Sequence, residues 1–522
     1  MKSTNCQALP LLPVGVLSLV LFAFVAGGLP VTVDETPYIA AGRSYADWLI
    51  GGAAAVASGD AAALARQLQA RDDAYAINHE HPPLAKTVYG LCGRLFRVFG
   101  PLAGPRVGGL FFLLVLQVSL YFLIAPNFGR LAATAGALAV IAHPRIVAHA
   151  FTCGLDLPVA ALSVLCALLF VRGLERRAAA VLCGVVWGLA MATKNNGVFL
   201  VVPLFLWGYL FDRRRVADNL FFMALLGPLT FVASWPWLWN DTFVRLIDYL
   251  RFHAQHVVEP SYFRGAVYAV HSWTYPLATL FAATPLVILA FAAVALARLR
   301  KRPFDPLVSL FAFLAVFAVL IVCPPSVPVY NGDRLFLLTE ILLCGMAGVG
   351  LAAAAARLTA ASQTPRRRVV VVAILGGVLL LPGLIGVAAT HPYERSYYGA
   401  LVGFRGGAMR LGFNPMEWSE VPPAAVKLLT RSFPQGLNLD NNSGAATVLR
   451  GYQQLGLLSP RFRFSDRAEY WLVEGNLAYS GFPRYWSLYY DIDPEYRLQQ
   501  ELGPAPHLLS LYKRTMAPPF GG

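Results

Sequence analysis

An acidic pair, Asp34-Glu35, stands just beyond the first long apolar segment of this 522-residue chain. The same polar stretch later carries His79-Glu80-His81-Pro82-Pro83-Leu84-Ala85-Lys86. A carboxylate can take the proton of a hydroxyl, and a lysine can hold an anionic leaving group. Pro82-Pro83 stiffens the approach and aims the Lys86 ammonium at a fixed point. Asp156, Lys194, Asp333 and Arg334 sit at the ends of apolar runs, where charge is costly and by default marks function. The bland alternatives are an N-cap at Asp34-Glu35, with Pro37 early in the next helix, and snorkelling or capping at the span ends. His79 and His81 have a metal-ligand spacing, but no Cys or further His lies close by. A hydrogen-bonding or phosphate-contacting role is preferred for them, and no metal or other cofactor is expected.

The elements that must position these groups are apolar helices. The composition, 57% hydrophobic and 13% charged with mean hydropathy +0.57, is far too apolar for an ordinary soluble protein. Spans of about 20 apolar residues are expected at roughly 11–30, 107–125, 131–149, 155–172, 178–193, 197–211, 219–238, 273–297, 306–323, 335–356 and 369–390. That is about eleven transmembrane helices. The first could be a cleaved signal peptide behind Lys2, but its long apolar run favours an uncleaved helix.

Every second short loop is rich in arginine: Arg172, Arg176 and Arg177; Arg213 to Arg215; Arg298, Arg300, Lys301 and Arg302; Arg357 and Arg366 to Arg368. The positive-inside rule makes these loops cytoplasmic. The N-terminus is then inside, and Asp34, Glu35, His79, His81, Lys86, Asp156, Lys194, His253, His256, Asp333 and Arg334 share the outer face of an inner (plasma) membrane. The net charge of +14 does not point to nucleic acid, because residues 391–522 hold 13 Lys and Arg against 11 Asp and Glu. The seven cysteines, Cys6, Cys92, Cys153, Cys166, Cys183, Cys323 and Cys344, include no CxxC and read as small buried residues.

Three parts follow. Residues 1–390 form a membrane domain whose first external loop, 31–106, carries interfacial helices near 38–57, 60–72 and 86–99. A second external loop, 239–272, is rich in aromatics and histidine. The tail, 391–522, reads as a small soluble α/β domain with helices at Val426–Ser432 and Ala445–Leu455 and strands at Tyr470–Val473 and Leu508–Tyr512. Its aromatics, such as Trp471, Tyr485, Trp486, Tyr489 and Tyr490, suit either a core or a glycan surface.

Together these groups suit glycosyl transfer from a lipid phosphate: a carboxylate activates the acceptor hydroxyl, C1 passes through an oxocarbenium-like state, and cations stabilise the departing phosphate. At this point the chain resembles the polytopic GT-C glycosyltransferases, in particular bacterial relatives of protein O-mannosyltransferases and aminoarabinose transferases. The resemblance rests on Asp34-Glu35-Thr36-Pro37-Tyr38, His81-Pro82-Pro83-Leu84-Ala85-Lys86, Gly154-Leu155-Asp156-Leu157-Pro158, Gly188 through Lys194, Arg334-Leu335-Phe336-Leu337 and His391 through Tyr398, in that order. It implies Asp34 as catalytic base with Glu35 positioning it or the acceptor. Lys86 and Arg334 would contact the lipid phosphate, with Asp156 and Lys194 shaping the site. The implied partners are a polyprenyl-phosphate sugar donor, a protein, lipid or glycan acceptor, and membrane lipid. A lipid-linked sugar flippase and a non-catalytic scaffold remain the alternatives. Midplane charges between repeated halves, the mark of a transporter, are not evident.

Overall fold

The computed structural model describes residues 11–211, 215–255, 260–300, 305–360, 364–441, 443–466, 468–475, 496–502 and 509–514. His256, Arg213, Arg214, Lys301, Arg302, Cys6 and the tail aromatics Tyr485, Trp486, Tyr489 and Tyr490 lie outside the described residues. Among the described residues, five helices are long and apolar enough to cross a membrane: Arg97–Ala142, Asp156–Gly173, Val216–Ala233, Arg334–Thr359 and Pro365–Thr390. A bent pair, Tyr275–Ala283 with Leu286–Arg300, would make a sixth. Leu11–Val25, Arg177–Met191, Asn195–Phe211 and Pro306–Leu320 are apolar but shorter. Helix length thus supports five or six crossings where eleven are expected from hydropathy.

Proline accounts for two places where an expected span is not one straight helix. The residue before a proline is pushed out of the helical region towards extended backbone. His143, before Pro144, is extended, so the expected 131–149 span ends there and a short helix, Pro144–Ala150, starts afresh. Thr284, before Pro285, is likewise extended, and the chain bends by 107° at that break. A third break falls at Gly129, whose φ of +80° is open to glycine and costly for other residues.

The first loop is built on one close helix crossing. Glu35–Ser58 packs against Leu84–Leu95 with Gly42 facing Gly90. A Cβ on Gly90 would overlap the Gly42 carbonyl oxygen, and one on Gly42 would overlap that of Lys86. Tyr89 donates to the Gly154 carbonyl at 2.5 Å and the Leu84 amide to the Ala192 carbonyl at 2.9 Å. The loop is therefore fastened to the turn before Asp156 and to the turn before Lys194.

The tail returns to the same place. Val31 and Thr32 pair antiparallel with Val421 and Glu420, and the Tyr452 hydroxyl donates to the Val421 carbonyl at 2.8 Å. Beyond them, helices Pro423–Ser432 and Gly444–Gln454 accompany a five-stranded sheet. Its strands run in the order Arg463–Ser465, Asn438–Asp440, Tyr470–Glu474, Leu509–Arg514, Tyr496–Glu501. The first three are parallel and the last two pair antiparallel, so the helices and strands read from the tail sequence form a mixed α/β unit.

Gly90→Val is expected to pry the two first-loop helices apart, at a cost of about 1–3 kcal/mol or more. A thermal melt in detergent checks this, and a midpoint unchanged from wild type would refute the close crossing.

Candidate functional site

Asp34 is the residue before the first turn of Glu35–Ser58, yet its side chain caps no amide of that helix. It reaches across the site instead, where one carboxylate oxygen accepts from Arg334 Nη1 at 3.0 Å. Arg334 Nε lies 3.6 Å from a carboxylate oxygen of Asp156, and the other Asp156 oxygen accepts from Lys194 Nζ. Asp156 opens its helix, again without capping it in place of these contacts, and Arg334 precedes the Leu337–Thr359 helix. The result is a chain Asp34–Arg334–Asp156–Lys194, two carboxylates and two cations in alternation. Asp156 and Arg334 are buried, while the Asp34 side chain keeps 30% of its exposure, so it is the open end.

Three members of that chain, Arg334, Asp156 and Lys194, border a cavity of about 440 Å³. Tyr38, His81, Asp156, Lys194, Asn195, His253, Tyr330 and Arg334 make one end of its wall polar. Val159, Leu200, Leu314, Phe317, Ile321 and Leu338 make the rest apolar. A ligand with a charged head and a hydrocarbon tail matches that division. Burial and the Lys86 charge hold the His81 imidazole below its usual pKa, so it is a neutral ring at the cavity wall, 6.1 Å edge-on from Tyr38.

A second layer holds Arg334 from behind. Its guanidinium lies 4.4 Å from the Trp418 ring centroid and 5.1 Å from that of Tyr330. Arg395 stands 5.2 Å from the same Trp418 ring and donates to Glu420 at 3.0 Å and to the Thr152 hydroxyl at 2.6 Å. Arg145, fully buried, donates to the Tyr397 carbonyl at 2.9 Å and lies 3.4 Å from Asp333. His149 is 3.8 Å from the same Asp333 oxygen. Asp333 therefore belongs to this supporting layer, not to the cavity.

Of the residues singled out from sequence, Asp34, Asp156, Lys194 and Arg334 come together, with His81 beside them. Glu35 does not face the cavity. It is fully buried, bonded to Arg106 at 2.7 and 2.8 Å and accepting from the Cys153 amide at 2.9 Å. Lys86 is not among the residues that line the cavity. Its Nζ turns into the loop and donates to the carbonyls of Asn78 and His81 at 2.6 and 2.8 Å and to the Asn78 side chain at 3.0 Å. The fixed point at which Pro82-Pro83 aims this lysine is the loop itself. Burial pulls its pKa down to about 7, opposed by the nearby Glu80 charge, which favours the ammonium. His79 is also away from the site, its ring 4.9 Å from Trp237 and its Nδ1 3.0 Å from the Ala76 carbonyl.

Sequence reasoning missed Arg106, Arg145, Trp418 and Glu420, and it quoted Tyr38 and Arg395 without a role. Arg106 and Arg145 carried a signal, a lone arginine beside an apolar run. Trp418 and Glu420 carried none, because nothing local shows that the tail folds back on the first loop.

With this geometry in view, residues 80–239 match the family described as dolichyl-phosphate-mannose-protein mannosyltransferase. None of the curated proteins compared matches the chain. Among solved structures, ArnT from Cupriavidus metallidurans in the apo state is similar at 15% identity and a TM-score of 0.52, over 96% of this chain and 97% of that one. The oligosaccharyltransferase of Archaeoglobus fulgidus, tethered with an acceptor peptide, is similar at 11% identity and a TM-score of 0.51, over 88% of this chain and 64% of that one. The chain therefore shares its fold with ArnT and with the archaeal oligosaccharyltransferase.

Glu35→Ala is expected to cost about 3–5 kcal/mol by leaving the Arg106 charge buried and alone. Asp34→Asn is expected to change stability by about 1 kcal/mol at most, since that pair is partly open to solvent. Thermal unfolding of the two variants side by side checks the contrast, and equal losses would contradict it.

Proposed function

We propose that the protein is a glycosyltransferase that moves a sugar from a polyprenyl-phosphate donor to an acceptor hydroxyl on the extracytoplasmic side. The acceptor class is protein, lipid or polysaccharide. The single observation that carries this reading is Arg334, bonded to Asp34, in the polar wall of a cavity whose other wall is apolar. The family description matched by residues 80–239, which names a lipid-phosphate mannose donor, supports it. On this reading residues 1–390 supply the catalytic membrane unit, and residues 391–522 stand on the same outer side.

The donor phosphate binds against Arg334 and Lys194, with the polyprenyl chain along the apolar wall. Asp34 accepts the proton of the acceptor hydroxyl. That oxygen forms a bond to C1 as the bond from C1 to the phosphate oxygen breaks, and the electron pair of the broken bond leaves with the phosphate. Attack opposite the leaving group inverts C1. The donor is a phosphodiester with one negative charge and the product a phosphate approaching two. The attraction of Arg334 and Lys194 therefore grows as the bond breaks, which is what lowers a barrier. Asp156 keeps both cations in place.

Transfer of labelled sugar from polyprenyl-phosphate donors in proteoliposomes tests this reading. Asp34→Asn is expected to reduce transfer by about a thousandfold or more with donor binding retained, from the loss of a general base and its alignment. Wild-type rates in Asp34→Asn would remove Asp34 from the chemistry. Labelled lipid crossing the bilayer, with no transfer from any donor, would favour the flippase.

Arg334→Gln is expected to lower kcat by about 10²–10³-fold, the usual loss for one charge-stabilising donor. Lys86→Met is expected to leave donor KM within about threefold while making the 76–83 loop more open to protease, because that amine bonds protein oxygens only. A large rise in donor KM for Lys86→Met would return it to the phosphate site.

A further inference from the structure

A second cavity, of about 510 Å³, lies at the far end of the helix that Asp156 begins. Arg172, sixteen residues after Asp156 on Asp156–Gly173, lines it, so the two cavities are separated by about 24 Å of helix, close to the thickness of the hydrocarbon layer. Three arginines, Arg130, Arg172 and Arg176, share its wall with one carboxylate, Glu175. Arg172 reaches the Phe122 carbonyl at 3.5 Å, a weak contact that leaves most of its donors for another partner.

Two helix starts meet the same wall. Gly129, at φ +80°, ends the first half of the long helix, and Arg130 begins the second. Arg176 precedes Arg177–Met191 and gives that helix no side-chain cap. Both starts present amide N–H groups and the positive end of a helix dipole, which favour an anion. The remaining wall is apolar, with Leu123, Leu168 and Val171. Basic groups at the membrane surface above an apolar wall are what an anionic lipid needs, its phosphate on the arginines and its glycerol and upper chains on the side chains below.

We propose that this cavity binds the phosphate-bearing headgroup of an anionic membrane lipid, at the membrane face opposite Asp34. The site takes no part in sugar transfer and does not rest on that reading. Its ligand would touch the helix break at Gly129 and the loop between the Asp156 and Arg177 helices, so a bound lipid would bridge the two connections.

Native mass spectrometry of the full chain after exchange from vesicles of phosphatidylglycerol or phosphatidylcholine tests it. Wild type is expected to retain phosphatidylglycerol roughly tenfold better than phosphatidylcholine. A variant carrying Arg130→Gln, Arg172→Gln and Arg176→Gln is expected to lose that preference, and the corresponding triple change to Lys to keep part of it. Glu175→Gln, a change at an exposed position that leaves the fold intact, is expected to raise phosphatidylglycerol retention about threefold. Equal retention of the two lipids by wild type, or an unchanged preference in the Gln triple variant and in Glu175→Gln, would overturn the proposal. Displacement of the lipid by millimolar inorganic phosphate, with the phosphate itself held by the arginines, would also overturn it in favour of a free-anion site.

Discussion

The buried pair of Glu35 and Arg106 is the constraint on which the site rests. Neither side chain has any exposure, so each would carry a large desolvation penalty alone. The penalty is met by saturation. Arg106 donates to both Glu35 oxygens and to the carbonyls of Ala26, Leu29 and Pro30, while Glu35 also takes the Cys153 amide. These bonds join the end of the first apolar helix, the start of the first-loop helix, the long helix and the turn before Asp156. Asp34 is the neighbour of Glu35 in sequence and faces the other way. Its position against Arg334 follows from the fastening of Glu35 behind it.

Around that anchor the molecule builds a rigid support for one guanidinium. Arg334 meets Asp34 and Asp156 in front and the rings of Trp418 and Tyr330 at its flanks. Trp418 is itself held against Arg395, which is bonded to Glu420, and Glu420 pairs in register with Thr32 two residues before Asp34. Support for Arg334 therefore comes from the membrane helices and from the tail, and the tail is held by the same short strand that delivers Asp34. A planar guanidinium suits this position, since it can stack on an aromatic face and still point two edges at carboxylates.

The part of this legible in the sequence was the part governed by cost. Asp156, Lys194 and Arg334 interrupt or border apolar runs, and charges there are retained only where they have partners. The Asp34-Glu35 pair did not reveal which carboxylate faced inward, because adjacent residues on a helix start point about 100° apart and only tertiary packing selects one. Lys86 is a related case: its spacing behind two prolines says that it is aimed, not at what. The breaks at His143-Pro144 and Thr284-Pro285 were readable as X-Pro steps, but hydropathy averaged over a span hides them. Trp418 was illegible, since its partner lies more than eighty residues away and the connection depends on how the tail folds back.

The charge pattern explains why the open end is a carboxylate. Two anions and two cations already balance in the chain Asp34–Arg334–Asp156–Lys194, so a phosphate entering it adds a negative charge that nothing in the pocket offsets. Asp156 is buried between both cations and cannot yield; Asp34, with one contact and a solvent-facing edge, can. On the proposed function, a proton arriving on Asp34 from a hydroxyl would cancel its charge and loosen its hold on Arg334. In the same step the phosphate would gain charge and take that hold over. Deprotonation of one reactant and stabilisation of the other would thereby be coupled through a single guanidinium, and the burial of Asp156 would keep the wrong carboxylate from taking the proton.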